Sequence, residues 1–139
     1  MIALDTNTLA RYLLKDDLAQ YRAALSLLGK RRAHTAPPSV FLELVWVLEV
    51  NDCSRQEISK GLRSILGLPN FHSLQADALA WTLKWFDEGM DFADALHLAM
   101  SKDADEFRTF DRDLIKTAAR VGAFPKAVVV QGIRPRRPR

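Results

Sequence analysis

Four acidic residues, Asp5, Glu43, Asp94 and Asp111, stand where carboxylates can do chemistry. Residues 1–4 read as a short buried strand that ends in Asp5, followed by Thr6, Asn7 and Thr8, which favour turns and helix caps. Asp111 follows a second predicted strand, residues 106–110. A carboxylate just past a strand of a parallel sheet faces the crevice where such sheets bind ligands. Glu43 and Asp94 lie near the starts of predicted helices that follow or flank the same edge. Each acid also has an ordinary explanation: an Asx turn for Asp5, a favourable dipole position for Glu43, and helix caps around Asp94 and at Asp111.

Taken together the four call for a counter-charge. Glu43 is flanked by Leu42 and Leu44, with Val40 and Val47 on its helical face, and residues 38–48 hold no Lys or Arg. An ionised carboxylate in such a setting costs several kcal/mol unless paired. Crowded carboxylates also repel one another and raise each other's pKa. A divalent cation answers both problems, and oxygen-only ligands suit Mg²⁺ or Mn²⁺ over zinc. Such an ion acidifies a water and neutralises charge growing on phosphorus. Two ions roughly 3.5–4 Å apart clamp both attacking and leaving oxygens, an arrangement for phosphodiester hydrolysis.

Alternating strands and helices must position these acids. A short helix over residues 9–14 is followed by one from Asp16 or Asp17 to about Lys30, closed by Lys30, Arg31 and Arg32. Residues 33–36 form a second strand, and Pro37 and Pro38 open a helix over about 39–50 that is apolar nearly all round and so expected to be buried on more than one side. Ser54 and Glu57 form a capping box for the next helix. Residues 71–74 are an irregular strand or loop. Helices over 76–88 and 91–101 follow, then a strand, a helix over 111–121, and a last strand over 127–130. The pattern predicts an α/β fold with a mostly parallel sheet covered on both faces.

The 139 residues suffice for one domain with a core, and 48% hydrophobic with 27% charged residues is an ordinary globular balance. The single cysteine, Cys53, excludes an internal disulfide and fits a reducing, cytoplasmic compartment. No basic region precedes the first apolar residues, so no secretory leader is expected. The longest apolar run, residues 40–50, is interrupted by Glu43 and Glu49 and is far shorter than a membrane span. The net charge of +3 comes from the terminal six residues, which hold four arginines; without them 16 basic residues face 17 acidic ones. Residues 134–139 therefore read as a basic, flexible arm on a near-neutral domain spanning 1–133.

The segments MIALDTNTLARYL, SVFLELVWVL around Glu43, DFADALHLAMSK from Asp91 and FRTFDRDL from Phe107, in this order, resemble the PIN-domain ribonucleases, and among them the VapC toxins of prokaryotic toxin–antitoxin pairs. The resemblance implies a five-stranded parallel sheet flanked by helices, often in a homodimer. It places Asp5, Glu43 and Asp94 at the metal-ligand positions and Asp111 at the fourth acidic position, whose metal contact is often through water. Thr6, Asn7 and Thr109 fall where relatives place polar groups behind the ligands. It further implies RNA cleavage with Mg²⁺ or Mn²⁺, transfer or ribosomal RNA as substrate, and a small VapB-type antitoxin that covers the site.

Three nearby residues stay outside that set. Asp91 reads as the cap of its helix. Asp113 points about 200° round the helix from Asp111. His97 shares a face with Asp94 and reads as a packed or surface histidine. The alternative to a ribonuclease is a catalytically silent PIN-fold module that binds RNA or a partner. A phosphatase of similar metal chemistry would want an Asp-x-Asp loop, and Asp5-Thr6-Asn7 lacks the second aspartate.

Overall fold

The computed structural model describes residues 1–131. The tail over 134–139 and the domain end at 133 lie outside the described residues.

The elements run β1 (Ile2–Ala3), α1 (Thr6–Leu14), α2 (Leu18–Leu28), β2 (His34–Thr35), α3 (Pro38–Val50), α4 (Arg55–Leu66), α5 (Ala76–Asp87), α6 (Phe92–Met100), β3 (Glu106–Thr109), α7 (Arg112–Val121) and β4 (Lys126–Val129). Side-chain caps set several boundaries. Asp17 accepts from the Gln20 amide and starts α2, while Asp16 turns away to pair with Arg11 at 2.8 Å. Ser54 and Glu57 form the expected capping box of α4. The helix expected from Leu9 begins three residues earlier, because Asp5 caps it. The basic cluster at Lys30 to Arg32 does not close α2; that helix ends at Leu28, with Gly29 as its C-cap.

β1 pairs parallel with β2, matching Ile2 to His34, and β3 pairs parallel with β4, matching Glu106 to Lys126 and Thr109 to Val129. Phe71, in the segment read as strand or loop, adds one parallel bridge to His34. The parallel sense is as expected. A single five-stranded ladder is not among the described pairings, which form two separate two-stranded sheets. Strands two residues long carry no alternation that would fix their partners beforehand.

Two apolar clusters make the core. Leu9, Phe41, Leu44, Leu62 and Phe86 belong to one, around α1, α3, α4 and the start of the sheet. Trp85, Met90, Leu98 and Leu114 belong to the other, between α5, α6, α7 and β4. α5 and α6 serve both. Arg55 ties α4 to the end of α5, lying over the Phe86 ring at 4.1 Å and donating to the Phe86 and Met90 carbonyls at 2.7 Å.

α3 departs from the expectation of burial on more than one side. Phe41, Leu44, Val45 and Leu48 are buried, but Trp46 is 66% exposed and Val50 also faces solvent. A helix this apolar has too little polar contrast to reveal its outer face from sequence. Among the described residues no helix is long and apolar enough to cross a membrane.

Candidate active site

Asp5 leaves β1 and caps α1. Its Oδ1 accepts from the Thr8 amide at 2.9 Å and from the Thr8 hydroxyl at 2.7 Å. These bonds, the amide first, hold the Asp5 carboxyl below the usual aspartate range. Thr6, 8% exposed, donates its hydroxyl to Glu43 Oε2 at 3.0 Å. The contact spans 37 residues and joins the first turn of α1 to α3.

Glu43 itself corrects two expectations. It is the sixth residue of α3 and so lies in its second turn, and it is exposed. A burial penalty therefore does not bear on it. The apolar residues beside it in sequence turn to the core, and Glu43 turns with Trp46 towards solvent.

Asp94 stands in the first turn of α6, where Asp91 Oδ2 accepts from its amide at 3.1 Å. Asp91 is thus the cap it was expected to be. No reciprocal bond from Asp94 completes a capping box. Partial burial raises the Asp94 carboxyl above the usual range, with the negative charges of Asp91 and Asp111 adding to the effect and His97 opposing it. His97 is exposed, and it moderates this acid from one turn away. Asp111 follows β3 and caps α7, its Oδ1 accepting from the Asp113 and Leu114 amides at 3.0 Å. Thr109 Oγ1 accepts from the Asp111 amide at 3.0 Å and steadies that turn.

By their described contacts the acids fall into two groups. Thr6, next to Asp5 in sequence, ties Glu43 to the first turn of α1; Asp94, shifted first by burial, also feels the charges of Asp91 and Asp111. Packing of α1 on α3 and of α3 on α6 connects the two. Among the described residues no three His, Cys, Asp or Glu side chains converge closely enough to hold a metal ion as they stand.

The donor chemistry nonetheless suits a hard cation. The caps consume one oxygen each. Among the described residues, Asp5 Oδ2, Asp111 Oδ2, Glu43 Oε1 and both Asp94 carboxylate oxygens receive no donor from another residue. None of the four acids is in a described salt bridge; those join Arg11 to Asp16, Arg63 to Asp87 and Arg108 to Glu106.

Of the polar residues expected behind the acids, Thr6 and Thr109 position Glu43 and Asp111. Asn7 lines a cleft of about 270 Å³ with Asp5, Thr8, Arg11 and Gln20. Sequence reasoning missed Thr8, whose two bonds fix Asp5. The Asp-x-x-Thr spacing, with the cap at Asp5 and the threonine at Thr8, was the available signal. It also missed the charge of Asp91 on Asp94, although their spacing of three on one helix places them side by side.

Residues 2–120 match the PIN domain family. The match covers most of the chain, and the protein belongs to that family, whose members are generally nucleases and typically use divalent metals. No curated protein matches the chain.

Proposed function

We propose that the protein is a Mg²⁺- or Mn²⁺-dependent endoribonuclease and the toxin of a VapBC-type pair. The observation that carries the nuclease reading is the set of uncommitted oxygens on Asp5, Glu43, Asp94 and Asp111, unpaired with any basic side chain in the described salt bridges. Asp5, Glu43 and Asp94 would hold the ion, with Asp111 beside them. Bound there, a divalent cation supplies an acidified water and offsets charge developing on phosphorus. The chain's own part is orientation. Thr6 fixes Glu43, Thr8 fixes Asp5, Thr109 sets the turn at Asp111, and each of the two caps leaves its second oxygen without a described donor.

The toxin assignment rests on the ordered motif set around these four acids. It carries with it a cytoplasmic setting, transfer or ribosomal RNA as substrate, a small antitoxin partner and a homodimer. The last is checked by mass in solution against the 15.7 kDa chain. The central test is cleavage of a structured RNA in Mn²⁺. Cutting should stop with EDTA and in Asp5→Asn; cutting that survives either one overturns the proposal.

One observation favours a second reading, a silent RNA- or partner-binding module: among the described residues no three His, Cys, Asp or Glu side chains group to hold an ion. A silent module would show no thermal stabilisation by Mn²⁺.

A further inference from the structure

Among the described residues, several basic side chains are engaged within the fold. Arg11, Arg63 and Arg108 are engaged by carboxylates, and Arg55 and Arg120 donate to backbone carbonyls at 2.7–2.9 Å. Against these, Arg112, Lys116 and Lys126 are exposed and take part in no described salt bridge, yet all three line one groove of about 600 Å³ between α7 and β4. Asp113 is the single acid in that groove, leaving its rim with a net charge of +2, and Ile115 and Val128 contribute apolar wall.

The groove has a direction. Arg112 directly follows Asp111, so one end opens at the acidic edge. Lys116 is one helical turn further along α7, a rise of about 6 Å. Lys126 pairs in register with Glu106, at the opposite end of the strands from Thr109, about 10 Å away along β4. Three cations are thus strung from the acidic edge to the far edge of the β3–β4 pair. Phe110, 71% exposed, stands immediately before Asp111 at the head of the track.

We infer that this groove carries the sugar–phosphate backbone of the single-stranded RNA on one side of the proposed cleavage site, with Arg112, Lys116 and Lys126 each against a phosphate. The inference rests on the ribonuclease reading and adds the path of the substrate. Charge complementarity selects the occupant: a chain with a regularly spaced negative charge matches spaced cations, and single-strand grooves combine such cations with aromatic platforms. Phe110 supplies the platform for the base next to the acids.

The test is the binding of a fluorescein-labelled, unstructured RNA 12-mer to the full chain in EDTA, where cleavage is suppressed, followed by anisotropy across a salt series. Replacing Arg112, Lys116 and Lys126 together with Ala should weaken binding at low salt about ten-fold or more. It should also reduce the slope of log K against log salt by about 2, since each single-strand phosphate contact contributes about 0.7. A control that removes Arg22, Arg31 and Lys60 matches the change in net charge and should leave most of the slope in place. Circular dichroism of both variants should match the parent, because the six side chains are exposed. An unchanged slope in the groove variant, or an equal loss in the control, overturns the groove assignment while leaving metal-dependent cleavage intact. Tighter binding of an acidic peptide than of RNA to the same groove also overturns it. If the parent protein neither binds nor cuts RNA, the ribonuclease reading falls first.

Discussion

At the scale of single residues, the acids are held by hydroxyls more than by charges. Thr6 is the clearest case, because one buried hydroxyl is the described contact that orients Glu43. Thr6→Val should lower kcat about 10–100-fold, as loss of a group behind a metal ligand does, and Thr6→Ser should restore most of it. Asp94 behaves differently. Its ionised form is disfavoured by burial and by two neighbouring acids. Asp94→Asn should therefore abolish cleavage and yet raise the melting temperature in EDTA by about 1–3 °C, for a gain held below 1 kcal/mol by partial exposure. A fall in melting temperature would show that the charge is compensated by a contact other than those described. Asp5, Glu43, Asp94 and Asp111 could be picked out of the chain alone as candidates. That Glu43 is exposed and clasped by Thr6 was not, because the contact joins residues far apart in sequence and the helix around Glu43 is apolar on every side.

At the scale of elements, two features make opposite predictions. In β2, His34 is 1% exposed, and neither ring nitrogen finds a hydrogen-bond partner among the described residues. A buried polar group without a partner costs about 1–3 kcal/mol, and a β-branched replacement suits a strand. His34→Val should raise the urea midpoint with an unchanged m-value. In α4, the Ser54–Glu57 box is fully formed, and the Ser54 amide and hydroxyl hold the Glu57 carboxyl below the usual glutamate range. A depressed folded-state pKa means that this contribution is complete above the unfolded-state value and lost as pH falls through the folded one. Urea unfolding between pH 7 and pH 3 should show the parent's advantage over Glu57→Gln shrinking towards the acid end. Ser54→Ala should cost about 1 kcal/mol at neutral pH. The box was legible because it is four residues long and local. The pairing of β1 with β2 rather than with β3 was not, because a two-residue strand records nothing about its neighbours.

At the scale of the molecule, Asp5 and Asp111 follow strands of different sheets, while α3, which carries Glu43, packs on α6, which carries Asp94. A cation bound across these acids would tie those elements together. Mn²⁺ at 100 times its dissociation constant should then stabilise the fold by about 2.7 kcal/mol, read as a rise in melting temperature. Glu43→Gln and Asp94→Asn, taken from opposite groups, should each remove it. If only one of them does, the ion belongs to a single group. The parallel α/β organisation was visible in the alternation of segments. The division into two pairs depends on long-range packing that no local pattern encodes.

The double duty of Asp5 and Asp111 bears on how an inert form of the protein should be made. Each spends one oxygen starting a helix and keeps the other free of any described donor. Asparagine preserves an acceptor for the helix and deletes the charge, so the scaffold should scarcely register the change. Alanine would strip both at once, and lost activity could then not be told apart from a frayed α1 or α7. A quiet, well-formed decoy for trapping bound RNA is therefore an asparagine variant.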